Sequence, residues 1–229
     1  MKSFPWALFL ILIAVSTLPR CASNPARSMD KSNFAKVSSV IYDAVYDLRY
    51  YSAYNFTGHR INGYKAPVAY LTQEALNALA QAAADLRQQG YRILIWDTYR
   101  PQKAVDDFVA WINDPQNPGD KSFYPTLKKS DLLKGRYIMA KSGHSRGSTI
   151  DLTIIKTNGD FVDMGGTFDL FSEISHPDYA KISPKQKQNR LILRNAMLKA
   201  GFAPLDSEWW HFTLENEPYP DTYFDFDIE

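Results

Sequence analysis

The 229-residue sequence has one cysteine, Cys21, so it can form neither an intramolecular disulfide nor a cysteine-built zinc site. Any metal it holds must be bound through His, Asp or Glu. Charge imbalance is also lacking: the formal net charge is +1 and no long run of like charge occurs, which removes the electrostatic reason to expect nucleic acid as a partner. Histidine is scarce, with only His59, His144, His176 and His211. No internal repeat or low-complexity segment stands out, and the length suits one domain of ordinary size with a substantial core.

A hydrophobic run long enough for a comfortable membrane span is missing too. Lys2 followed by the apolar residues 6–15 has instead the pattern of a signal-peptide core, and Ala22 and Ser23 supply small residues for cleavage. Residues 1–23 are therefore read as a signal peptide and residues 24–33, polar and broken by Pro25, as a linker. A single domain follows over 34–229. The expectation is export, to the periplasm, with no membrane span left after processing. Lipid attachment at Cys21 fits less well, because Pro19 and Arg20 replace the small residues expected before a lipidated cysteine. An uncleaved anchor and a cytoplasmic location also fit this segment less well than export.

What is present is a folded composition: 45% hydrophobic residues, with 14 tyrosines and 13 phenylalanines. Thr72 precedes Leu76, Leu79, Ala83 and Leu86 at helical spacing, with Gly90 placed as a C-terminal stop. Residues 91–96 form a short apolar, β-branched run that predicts a central strand, delivering Arg100 to a strand-to-helix junction. Pro101 opens a second helix with Val105, Phe108, Val109 and Ile112 on its buried side. Residues 114–133 read as a surface excursion, and residues 150–155 as a strand turning at 157–160 into 161–164. Ser183 and Gln186 have capping-box spacing ahead of a helix carrying Leu191, Ile192, Met197 and Leu198, and a last strand runs through 209–214. Helices and strands mix without strict βαβ alternation, which predicts an α+β fold with a central antiparallel sheet flanked by helices.

The candidate chemistry lies in two stretches. Residues 142–151, S-G-H-S-R-G-S-T-I-D, hold His144 and Asp151; residues 208–212, E-W-W-H-F, hold Glu208 and His211. Taken alone, each histidine reads as an ordinary surface or core residue, and the contexts raise His144 and His211 only in combination. His144, Asp151 and His211 can supply the three ligands of a catalytic zinc site that leaves a position for water. If Ile150 and Leu152 face the core, Asp151 faces the other side of the sheet. Glu208 lies an odd number of residues before His211, so on an extended strand the two would point apart. It must then sit in the turn before the strand, where Pro204, Asp206 and Ser207 allow one. There it can act as general base and then acid. Arg100 is the candidate to stabilise negative charge on a carbonyl oxygen during amide hydrolysis.

With these residues assembled, the chain resembles the VanX-type D-alanyl-D-alanine dipeptidases, within the wider zinc D,D-peptidase family that shares a fold with the hedgehog signalling domain. The resemblance rests on D-L-R-Y and N-F-T-G, W-D-T-Y-R-P, S-G-H-S-R-G-S-T-I-D-L-T, M-G-G-T-F-D, and E-W-W-H-F followed by E-P-Y-P-D and Y-F-D-F. It implies one zinc ion bound by His144, Asp151 and His211, Glu208 as base, Arg100 as transition-state stabiliser, and Ser142, Asp169 and Tyr50 in the substrate pocket. Asp169 would then meet the ammonium group of a free dipeptide. The resistance enzymes of this family act in the cytoplasm, whereas an exported enzyme would more naturally digest wall-derived dipeptide. Two rivals stay open: a D,D-carboxypeptidase acting on peptidoglycan stems, and a non-catalytic zinc-stabilised binding module.

Overall fold

The alternating residues around Asp151 form the middle strand of a five-stranded sheet in the computed structural model, which describes Met1 and residues 27–134 and 137–229. In chain order, strands β1 (Arg27–Ser28), β2 (Phe34–Lys36), β3 (Val45–Tyr46) and β4 (Tyr70–Thr72) lead to helix α1 (Gln73–Gln88), strand β5 (Tyr91–Asp97) and helix α2 (Gln102–Asn113). A one-turn helix α3 (Asp131–Lys134) precedes strand β6 (Thr149–Lys156) and helix α4 (Pro184–Lys199). Strands β7 (Phe202–Leu205), β8 (Glu208–Leu214) and β9 (Tyr223–Phe224) complete the chain.

The central sheet has the order β3-β5-β6-β8-β7. Its β5–β6, β6–β8 and β8–β7 ladders are antiparallel, while the edge strand β3 lies parallel to β5, so the expected α+β fold is present with a mixed sheet. Two small pairs accompany it, β2 with β4 and β1 with β9. Arg27 and Ser28, inside the stretch expected as linker, thus pair with the C-terminal strand. Apart from Met1, the expected signal segment lies outside the described residues, among which no helix is long and apolar enough to cross a membrane.

Local chemistry accounts for the helices. Thr72 Oγ1 accepts from the Ala75 amide at 3.4 Å, and Leu76, Leu79, Ala83 and Leu86 are buried. Ser183 and Gln186 form the reciprocal capping box ahead of α4. The buried face of α4 carries Leu193, Ala196 and Met197, whereas Leu191 and Leu198 are exposed, because the helix turns its Asn189 and Arg190 side inward to reach backbone carbonyls.

Two loop expectations change. Residues 114–133 are anchored rather than purely superficial, since Phe123, Tyr124 and Leu132 are buried. Past the turn at 157–160, pairing is limited to a single bridge between Ile155 and Phe161, whose side chain is exposed and gains nothing from extending a strand.

Candidate active site

Register across the sheet builds the site. Asp97 of β5 stands opposite Asp151 of β6, and Asp151 opposite His211 of β8. Opposed residues in a ladder share a face, so three neighbouring strands project these side chains together. A register shift between Ile95 and Asp97 re-aims the end of β5 toward that row. His144 comes from the 3-10 turn Gly143–Arg146, where Ser142 Oγ accepts the His144 amide at 3.2 Å. Gly147 closes the turn at φ +82, and a Cβ there would meet the Phe34 ring at 2.3 Å, so only glycine passes.

One side-chain nitrogen or oxygen each of His144, Asp151 and His211 could bind a metal ion, and these atoms all lie within 4.8 Å of one another. His144 Nε2 is 3.2 Å from Asp151 Oδ2, His211 Nδ1 is 3.0 Å from Asp151 Oδ1, and the two ring nitrogens are 3.3 Å apart. His144 Nδ1 lies 2.7 Å from the Thr98 carbonyl. A carbonyl only accepts, so Nδ1 carries the hydrogen and Nε2 turns its lone pair into the cluster. Buried Asp151 Oδ1 receives no well-directed hydrogen bond. Two imidazole nitrogens and a carboxylate oxygen, converging with few hydrogens between them, fit a divalent cation of the zinc type. Burial pushes His144 below the usual imidazole range. Burial works to lower His211, but the negative charge of Asp151 and of Glu208 beside it outweighs burial and raises it; for Asp151 burial is likewise outweighed, by the two histidines, which hold it below the ordinary carboxylate range.

Glu208 begins β8 itself, beside the turn at Asp206 and Ser207, rather than preceding the strand as expected. The ladder is irregular between Pro204 and Leu205, and this bulge brings the Glu208 carboxylate to 3.5 Å from His211 Nδ1 despite their odd separation. Burial raises Glu208 to about 7, with His211 and Arg100 opposing and Asp151 adding to the rise. Arg100 is also held inside: its Nε donates to Asp97 Oδ2 at 2.9 Å, and its Nη2 is 3.5 Å from Asp151 Oδ2. The guanidinium lies 4.9 Å from the Tyr50 ring centroid and 5.2 Å from that of Phe108, a cation beside two aromatic rings that also pack on each other at 5.1 Å.

Tyr50 donates its hydroxyl to Asp169 Oδ2 at 2.9 Å. Asp169 has a φ of +57, the left-handed region that aspartate tolerates better than most residues. Burial first, then the charge of Asp151, raises its carboxyl well above the ordinary range. All eight residues singled out in the sequence, Ser142 included, line one cavity of about 800 Å³. His176 borders it outside the ligand cluster, and His59 instead pairs with Asp107 at 3.2 Å.

The residue missed in the sequence is Asp97. It is buried, takes the Tyr64 hydroxyl at 2.7 Å on one oxygen and Arg100 on the other, and lies 3.5 Å from His144 Nδ1. Its signal was a carboxylate closing an apolar strand three positions before Arg100. The Thr98 carbonyl, being backbone, had no side-chain signal at all.

A candidate metal-binding cluster open to a cavity, flanked by a buried carboxylate and a buried guanidinium, is the equipment of a hydrolase. Comparison with known proteins narrows that class: a family model, Peptidase_M15, described as D-ala-D-ala dipeptidase, matches residues 30–229. The chain belongs to this peptidase family. A D-alanyl-D-alanine dipeptidase of Streptomyces coelicolor is 40% identical over 198 residues, covering 86% of this chain and 98% of the relative. The Enterococcus faecium D-alanyl-D-alanine dipeptidase is 38% identical over the same shares of both chains, and that of Escherichia coli is 32% identical over 81% of this chain and 86% of its own.

Proposed function

We propose that this protein hydrolyses the free dipeptide D-Ala-D-Ala to two molecules of D-alanine, with one zinc ion held by His144, Asp151 and His211. The ion, when bound, supplies Lewis acidity and makes a water acidic enough to be a nucleophile near neutral pH. Glu208 takes a proton from the attacking water and returns it to the departing amine. Arg100 meets the negative charge that develops on the carbonyl oxygen, its guanidinium fixed in advance by Asp97. Asp169, held by Tyr50, receives the substrate ammonium, and Ser142 borders the substrate while capping the His144 turn.

The observation that carries this reading is the convergence of the three ligands, Glu208, Arg100 and Asp169 on a single cavity. The relatives named as D-alanyl-D-alanine dipeptidases support the substrate. The deciding experiment is release of D-alanine from D-Ala-D-Ala by the purified protein, with and without a chelator, beside a stem pentapeptide. Chelator-sensitive turnover of the dipeptide is expected. Preference for the pentapeptide would replace this reading with a D,D-carboxypeptidase, and zinc binding without any D,D-peptide hydrolysis would leave a binding module. Export to the periplasm is proposed from the apolar run at residues 6–15, with cell fractionation as its test.

A further inference from the structure

The Y-F-D-F run near the C-terminus contributes no side chain to the cavity, yet its second half is bound to the corner from which Arg100 projects. Phe226 stacks on Tyr99, centroids 4.2 Å apart at 22°, and its carbonyl accepts the Tyr99 hydroxyl at 3.0 Å. Helix α2 starts behind Pro101 without a capping side chain of its own. Asp225 supplies the acceptor from 122 positions away: its Oδ1 takes the Lys103 amide at 2.6 Å, while Oδ2 faces Arg27 at 3.3 Å. Asp227 accepts Lys103 Nζ at 2.9 Å.

The other side of the corner is tied to the same segment. Ile228 bridges to Tyr64, donates to the Gly63 carbonyl at 2.9 Å, and accepts the Lys65 and Ala66 amides at 2.9 Å each. Tyr64 in turn donates to Asp97, the carboxylate that holds Arg100 Nε. Both the backbone flanking Arg100 and the carboxylate fixing its side chain therefore depend on one four-residue stretch. We infer that residues 225–228 are a positioning element for Arg100, holding its guanidinium at the cavity from behind without touching substrate. This inference rests on the role proposed above for Arg100.

The test uses the full chain loaded with zinc, in the variants Asp225→Ala, Asp225→Asn and Tyr99→Phe, assayed on D-Ala-D-Ala. Asp225→Ala lowers kcat on the order of ten- to a hundredfold, with KM within about twofold, the scale expected of a misplaced catalytic group. Bound zinc is unchanged. Asp225→Asn keeps an acceptor for the Lys103 amide and recovers most of the loss, and Tyr99→Phe, which removes only the hydroxyl, gives a smaller fall. In an Arg100→Lys background, Asp225→Ala adds no further loss, because the group it positions is already gone. Unchanged kcat in Asp225→Ala and Tyr99→Phe, losses that multiply in the double variant, or loss of zinc in step with kcat would each overturn the inference. An active wild type with unaffected variants removes the positioning role alone, whereas a wild type that releases no D-alanine removes the reading of Arg100 and the positioning role together.

Discussion

His144 directs its Nδ1 hydrogen to the Thr98 carbonyl at 2.7 Å, and that contact turns the Nε2 lone pair toward Asp151 and His211. The tautomer of this proposed ligand is thus set by the backbone of the strand end that also delivers Arg100.

Metal removal follows from this convergence. Elemental analysis should find one zinc per chain. Chelation should abolish turnover and lower Tm, since a cation that binds only the folded chain stabilises it by mass action. Zinc added back should restore both. Full activity and an unmoved Tm in chelator would rule out the metal centre.

Glu208→Gln should keep zinc and the fold while lowering kcat by about 10²- to 10⁴-fold, the usual scale for a lost general base. Burial holds this carboxyl near pH 7 in the metal-free protein. A cation arriving nearby favours the ionised form, so zinc loading at neutral pH should release more protons from the wild type than from Glu208→Gln. Calorimetry in buffers of different ionisation enthalpy reads the difference, and equal release would contradict the assignment.

Arg100 and Asp97 are buried as a pair, 12% and 2% exposed at the side chain. Arg100→Ala leaves Asp97 without its cation and should cost about 3–5 kcal/mol of stability as well as turnover. Arg100→Lys keeps a charge but not the planar fork, and should lower kcat on the order of 10²-fold with a smaller change in denaturation midpoint. Stability of Arg100→Ala equal to wild type in urea would show that the pair is not buried as described.

Asp169 gives a stability test with a definite sign. Its folded carboxyl is raised by burial, whereas the unfolded chain titrates at about 4, so the stabilising preference for the protonated form is lost as pH rises from about 4 toward the raised folded value. Asp169→Asn cannot ionise and still offers Tyr50 an acceptor. In chelator, Tm of the wild type should therefore fall with rising pH relative to Asp169→Asn, while the variant loses affinity for a dipeptide with a free ammonium. Parallel Tm profiles, or undiminished dipeptide affinity, would refute the role.

Much of the fold was legible because its signals are local. Thr72, Gly90, Ser183, Gln186 and the apolar run before Asp97 act within a turn or a strand, and they form the elements expected of them. The parallel edge strand β3 was not, since it pairs with residues about fifty positions away, and the start of β8 at Glu208 was not, since a bulge in the β7–β8 hairpin breaks the strand alternation there.

The site divides the same way. The residue types and spacing of His144, Asp151, Glu208 and His211 were enough to nominate a zinc hydrolase, because ligand chemistry admits few side chains and this chain has almost no histidine or cysteine to spare. What only the tertiary structure decided is how those groups meet. Ladder register sets Asp97, Asp151 and His211 in one row, a bulge swings Glu208 toward His211, and the C-terminal run braces Arg100. The first and last join residues distant in sequence and the bulge is local, but all three are fixed by hydrogen-bond pairing and by burial, to which no simple periodic pattern of side chains corresponds.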